Sequence, residues 1–171
     1  MKLNRHIKKV AVIGSGIMGS RIACHFANIG VDVLLLDIAP FDLSEEQLKD
    51  KKVRNSIVND ALKNTLKSKP SPIYSKEFVS RITTGNLEDD LHKIVDVDWI
   101  IEVVVERLDI KKQVFEKIEE HRKEGTLISS NTSGIPIESM LDGRSEDFQK
   151  HFCGTHFFNP PRYLKLLEII P

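Results

Sequence analysis

Cysteine is scarce in this 171-residue chain: Cys24 and Cys153 are the only two, and neither belongs to a C-x-x-C or Cys/His ligand spacing. One candidate pair cannot build the disulfide framework of a small secreted domain, and no metal site is expected. A reducing, cytoplasmic setting fits that usage. Charge of one sign is also missing, since 25 Lys and Arg are matched by 25 Asp and Glu. Without a basic excess there is no electrostatic footprint for nucleic acid. Long hydrophobic runs are absent too. The longest, Trp99 to Val105, is broken by Glu102 and falls far short of the ~20 residues of a membrane span, so it reads as a strand. The apolar stretch behind Lys2, Arg5, Lys8 and Lys9 stops at Gly14, too early for a secretory signal. What remains is a chain with 40% hydrophobic and 29% charged residues and no internal repeat, which predicts one folded domain spanning residues 1–171.

The first 37 residues read as strand, turn, helix, strand. Val10–Ile13 is a short continuous apolar run ending in a glycine cluster, Ile17 to Ile29 carries helical apolar spacing up to Gly30, and Val33–Leu36 follows at once. A crossover of this length forces parallel pairing, and continuous apolar strands suit a sheet covered on both faces. Ser44 and Gln47 have the spacing of a capping box, and apolar stripes through Val53, Ile57, Ala61 and Val58, Leu62, Leu66 predict one long helix from about 45 to 68, closed by Pro70 and Pro72. Further strands are predicted near 82–84, 98–105, 127–130, 155–158 and 166–169, with helices near 108–121 and 137–141. The fold class is α/β, a Rossmann-like doubly wound and mainly parallel sheet of six or more strands with a helical insertion after the second.

Gly14-Ser15-Gly16-Ile17-Met18-Gly19 is a GxGxxG pattern. Alone it is weak, but here it joins a predicted strand to a predicted helix. In that setting the first glycine makes the turn, the second lets a pyrophosphate approach the backbone, and the third lets helix and strand pack closely. The residues from Gly14 to Gly19, Ile17 and Met18 included, are therefore candidate cofactor contacts. Asp37 ends the second strand, 18 residues after Gly19, where a carboxylate can accept hydrogen bonds from the adenosine ribose. It would repel a 2′-phosphate, and Ile38-Ala39-Pro40 offers no arginine to receive one, so NAD is the expected cofactor rather than NADP. An S-adenosylmethionine fold also reads a glycine turn and an acid, and these residues alone leave it open.

Three later segments narrow the class: Val103-Val104-Val105-Glu106 with Lys111, Ser130-Asn131-Thr132-Ser133, and Gly154-Thr155-His156-Phe157-Phe158-Asn159-Pro160 with Glu168 twelve residues after the histidine. Together with the glycine turn and Asp37, they resemble the N-terminal domain of the 3-hydroxyacyl-CoA dehydrogenases of fatty-acid β-oxidation. The resemblance covers essentially the whole chain. It is similar in particular to the dehydrogenase module that precedes an enoyl-CoA hydratase module in some long bacterial proteins.

Alcohol oxidation needs a base for the hydroxyl proton, and histidine, with an ordinary pKa of about 6.5, suits that task near neutrality. The resemblance implies His156 as that base, oriented by Glu168, with Ser133 hydrogen-bonding the 3-oxygen of a 3-hydroxyacyl-CoA substrate. It also implies that Glu106 and Lys111 line the nicotinamide-ribose side, with Asn159 close by. Outside that motif His156 would read as a structural histidine, and Glu106 with Lys111 as a solvated pair. Glu102, inside an apolar run, suggests no role. The lysines of the inserted helix read as a solvated face; in the family such a helix approaches the phosphates of coenzyme A, but local residues match too poorly to assign Lys67 or Lys69.

Members of the family continue into a helical C-terminal domain that completes the acyl-CoA cleft and makes dimer contacts, whereas this chain stops at Pro171. The expectation is a chain with half an active site, little turnover by itself, and apolar surface that promotes self-association. The alternative from another class is a non-catalytic nucleotide-binding relative that kept the fold.

Overall fold

Continuous apolar strands are buried on both faces in the computed structural model, which describes residues 5–171. The elements run β1 (Lys9–Ile13), α1 (Ile17–Asn28), β2 (Asp32–Asp37), α2 (Glu45–Leu48), α3 (Lys51–Arg54), α4 (Ser56–Lys67), β3 (Ile82–Asn86), β4 (Trp99–Glu102), α5 (Leu108–His121), β5 (Leu127–Ser130), α6 (Ile137–Leu141), α7 (Glu146–Lys150), β6 (Phe152–Phe157) and β7 (Leu167–Ile170). They form a seven-stranded sheet of order β3-β2-β1-β4-β5-β6-β7. Pairing is parallel from β3 to β6, and β7 runs antiparallel to β6. This is the doubly wound Rossmann order, in which strand succession reverses between β1 and β4. A crevice opens there beyond the carboxyl ends of the strands.

Alternation along each strand divides the core in two. Val10, Val12, Val33 and Leu35 face α1 and α4, where they pack with Ile22, Phe26 and Val58. Ala11, Ile13, Leu34 and Leu36 face the other layer with Ile100, Phe115 and Phe148. Phe115, Phe148 and Phe152 lock α5, α7 and β6 together, with ring centroids 5.2–5.7 Å apart. Burial on both sides is why these strands lack the polar alternation of a half-exposed sheet. No helix among the described residues is long and apolar enough to cross a membrane.

The single helix expected over 45–68 is instead three. The capping box at Ser44 forms, with Ser44 accepting from the Gln47 amide and Gln47 Oε1 accepting from that of Ser44. The chain then leaves the helix at Asp50, whose extended backbone lets its side chain accept the Lys52 N–H and start α3. Asn55 makes the second break, buried and hydrogen-bonded by Asn86. At Asp50 a short polar side chain offers the backbone another partner and so interrupts the helix. β4 also stops earlier than the apolar run does, because Val104 donates its N–H to the Glu102 carboxylate and the chain bends into the crevice. α7, capped by Ser145, had no apolar period long enough to read.

Candidate active site

The glycine turn is built by close backbone approach. Gly14 has φ +102°, and a Cβ there would lie 2.7 Å from the Val103 carbonyl oxygen. A Cβ on Gly19 would lie 1.8 Å from the Gly14 carbonyl oxygen, so any side chain drives α1 off β1. Gly16 differs: its φ is −54°, and nothing lies within 4 Å of a Cβ placed there. No side chain caps α1 at Gly16, and no acid sits in the first turn. The empty cradle, the uncapped N-terminus and its partial positive charge fit the pyrophosphate of a dinucleotide.

Asp37 is already tied to this turn. Its Oδ2 accepts the Ser15 N–H at 2.6 Å and the Ser15 hydroxyl, and its Oδ1 accepts the Ile38 N–H at 2.7 Å. A carboxylate oxygen has two lone-pair sites, so Oδ1 keeps one for a ribose hydroxyl. A cleft of about 780 Å³ runs from here between β1 and β4. Asp37, Gly14, Gly16, Ile17 and Met18 line it together with Ser133, His156 and Asn159.

The antiparallel register of β6 and β7 sets His156 directly opposite Glu168. His156 Nδ1 and Glu168 Oε2 are 2.9 Å apart. A carboxylate can only accept, so Nδ1 carries the proton, and Nε2 is left as the ring's acceptor. Asn131, which the sequence reading passed over within its motif, also lines the cleft and accepts the Phe157 N–H at 2.9 Å. That bond ties the ends of β5 and β6 together beside His156. Arg21 on α1 donates to Asn159 Oδ1, a link across 138 residues with no local signal.

Glu106 stands beside the cleft. Its Oε1 accepts from the Thr132 hydroxyl and, at 3.1 Å each, from the Ser133 and Gly134 amides. Burial alone would raise this carboxyl's pKa, but those three hydrogen bonds and the Lys111 charge outweigh it and hold the group below its ordinary value. Lys111 corrects the expectation made for it. It neither lines the cleft nor pairs on the surface, but is wholly buried beneath, with Nζ 2.8 Å from Glu102 Oε1 and 3.4 Å from Glu106 Oε2. Nine residues of separation across a strand end and a helix start bring the two charges together, so Glu102 has a partner that reading by residue type did not supply.

The sequence profile of the 3-hydroxyacyl-CoA dehydrogenase NAD-binding domain matches residues 9–171. The chain belongs to this family. It is 57% identical to a Bacillus subtilis protein named "Probable 3-hydroxyacyl-CoA dehydrogenase", over 99% of this chain and 22% of that protein. A Deinococcus radiodurans protein of the same name is 50% identical, over 96% of this chain and 45% of its own length. The chain thus spans less than half the length of either relative. Among solved structures, (S)-3-hydroxybutyryl-CoA dehydrogenase from Ralstonia eutropha superposes with a TM-score of 0.69 at 26% identity, over 96% of this chain and 54% of that one. The matched family is one of NAD-binding domains, and the matched residues include the glycine turn and Asp37.

Proposed function

We propose that this chain is the NAD-binding half of an (S)-3-hydroxyacyl-CoA dehydrogenase of fatty-acid β-oxidation, acting with a helical C-terminal domain. The observation that carries the reading is the His156–Glu168 pair, with His156 lining the same cleft as the glycine turn and Asp37. Oxidising a 3-hydroxyl removes one proton from oxygen and one hydride from carbon. Bound NAD supplies the hydride acceptor. His156 takes the hydroxyl proton on Nε2, while Glu168, holding Nδ1–H, orients the ring and stabilises the imidazolium that forms. Ser133 hydrogen-bonds the 3-oxygen, Asn159 lines the nicotinamide-ribose side, and Glu106 stands beside it, holding the turn that carries Ser133.

Tyr163, Leu164, Leu166 and Ile169, all exposed around β7, support a further domain or a second copy covering this edge. Free cysteines at 24 and 153 support a cytoplasmic location. The test is acetoacetyl-CoA reduction by NADH, run on the chain alone and on the chain joined to the helical region. The joined protein turns over and the lone chain barely does, since positioning the two substrates supplies about 7–11 kcal/mol of barrier reduction. His156→Ala in the joined protein lowers kcat by roughly 10²–10⁴ with NADH affinity retained. A His156→Ala enzyme of near-normal kcat rules out the base role, and NADH binding without any turnover favours a non-catalytic relative.

A further inference from the structure

Glu102 is the last residue of β4, flanked in register by Ile13 of β1 and Ser130 of β5. Its side chain and that of Lys111 have no exposed surface. Lys111 Nζ donates to both Glu102 oxygens, at 2.8 and 2.9 Å, and reaches Ser130 Oγ at 3.4 Å. The Ser130 hydroxyl and the Val104 amide donate to Glu102 as well. Stripping water from two charges is costly, and an apolar pair of the same volume commonly holds a fold as well as a buried ion pair does. Stability alone gives little reason for charge at this place.

The third charge supplies a reason. On its other side Lys111 faces Glu106 Oε2 at 3.4 Å, so a single ammonium sits between a buried carboxylate and a half-exposed one. Glu106 turns its remaining oxygen to the Thr132 hydroxyl and to the Ser133 and Gly134 amides. The turn that carries Ser133 has no sheet or helix partner and is held by this carboxylate and by the Thr132 hydroxyl accepting the Ile135 amide. Removing Glu102 leaves Lys111 with only Glu106 to balance it and draws that carboxylate inward, away from the turn.

We infer that Glu102 is a positioning residue: it fixes Lys111, which fixes Glu106, which holds the Thr132–Gly134 turn and so sets Ser133 in the cleft with His156. The inference rests on the proposed reading only in taking Ser133 as the substrate contact. The single changes Glu102→Gln and Lys111→Met each strand a buried charge and lower the melting temperature, so they do not separate a positioning role from a structural one. The double variant Glu102→Gln/Lys111→Met does. It removes the ion pair at nearly constant volume, and the melting temperature returns close to wild type. Its kcat/KM for acetoacetyl-CoA in the joined protein stays down by roughly 10²-fold, the effect of misplacing a contact by about 1 Å. Amide hydrogen exchange, read on this chain without substrate, is faster at Ser133 and Gly134 in the double variant. If the double variant recovers both stability and kcat/KM, or if exchange at these amides is unchanged, the pair is structural and the inference is wrong. If wild type shows no turnover while the exchange difference stands, the catalytic reading fails and the positioning role holds.

Discussion

A methyl group on Gly16 separates the fold of the glycine turn from its use. Gly16 has a negative φ of −54°, away from the left-handed region that strains side chains, and no atom lies within 4 Å of the new carbon. The folded state is therefore unstrained, while the unfolded chain loses freedom, so Gly16→Ala leaves stability unchanged or raises it by up to about 1 kcal/mol. Binding is another matter, because the second glycine is where a dinucleotide pyrophosphate meets the backbone. A methyl there holds the phosphate off the amide groups of the turn. Charge-assisted hydrogen bonds are worth about 1.5–3 kcal/mol, so NADH affinity falls roughly ten- to hundredfold.

Gly19→Ala is the paired control, since its methyl would sit 1.8 Å from a carbonyl oxygen and overpacking costs about 1–3 kcal/mol. Thermal denaturation and fluorescence titration with NADH on the same samples read both quantities. Gly16→Ala that binds NADH like wild type means the pyrophosphate does not lie on this turn. Gly16→Ala that unfolds as readily as Gly19→Ala means the open cradle is wrong.

Legibility in the sequence follows the range of the forces involved. β1, the glycine turn, α1 and β2 come out within a residue or so of expectation, because apolar runs and glycines act on their own neighbours. α5 and α6 match their expected spans for the same reason. The break at Asp50 is local, a short side chain accepting the Lys52 N–H inside an otherwise helical apolar pattern, whereas the break at Asn55 was not legible because its partners are distant: Asn55 meets Asn86, and Arg54 bonds Glu88 and Asp89. The same limit governs charge. Lys111 read as a lining residue of the nicotinamide-ribose side and Glu102 as an acid without a role until the sheet brings them together, and Arg21 gives no hint of Asn159. His156 and Glu168 were legible only as a resemblance. The β6–β7 register is the physical reason that twelve residues of separation become 2.9 Å.

Two further outcomes test Asp37 and Glu106. Asp37→Ala weakens NADH binding by about tenfold, because it removes a ribose acceptor and leaves the Ser15 amide and hydroxyl without one, while NADPH binding falls less or improves; parallel titrations that return an unchanged NADH/NADPH ratio refute the ribose assignment. The other outcome concerns acid. Glu106 has a folded-state pKa below the ordinary carboxyl value of 4.5, so its unfolded form binds protons first as pH falls. The stability it contributes is therefore complete above about pH 4.5 and is lost as pH drops through the lower folded value. Glu106→Gln lacks that contribution at every pH, so its melting temperature lies furthest below wild type from neutrality down to about pH 4.5 and converges on it in stronger acid. Because nearly half of the side chain is exposed, solvent screening keeps the gap small. A gap that widens below pH 4.5 reverses the sign and overturns the claim that Thr132, Ser133, Gly134 and Lys111 hold this carboxylate in its charged form.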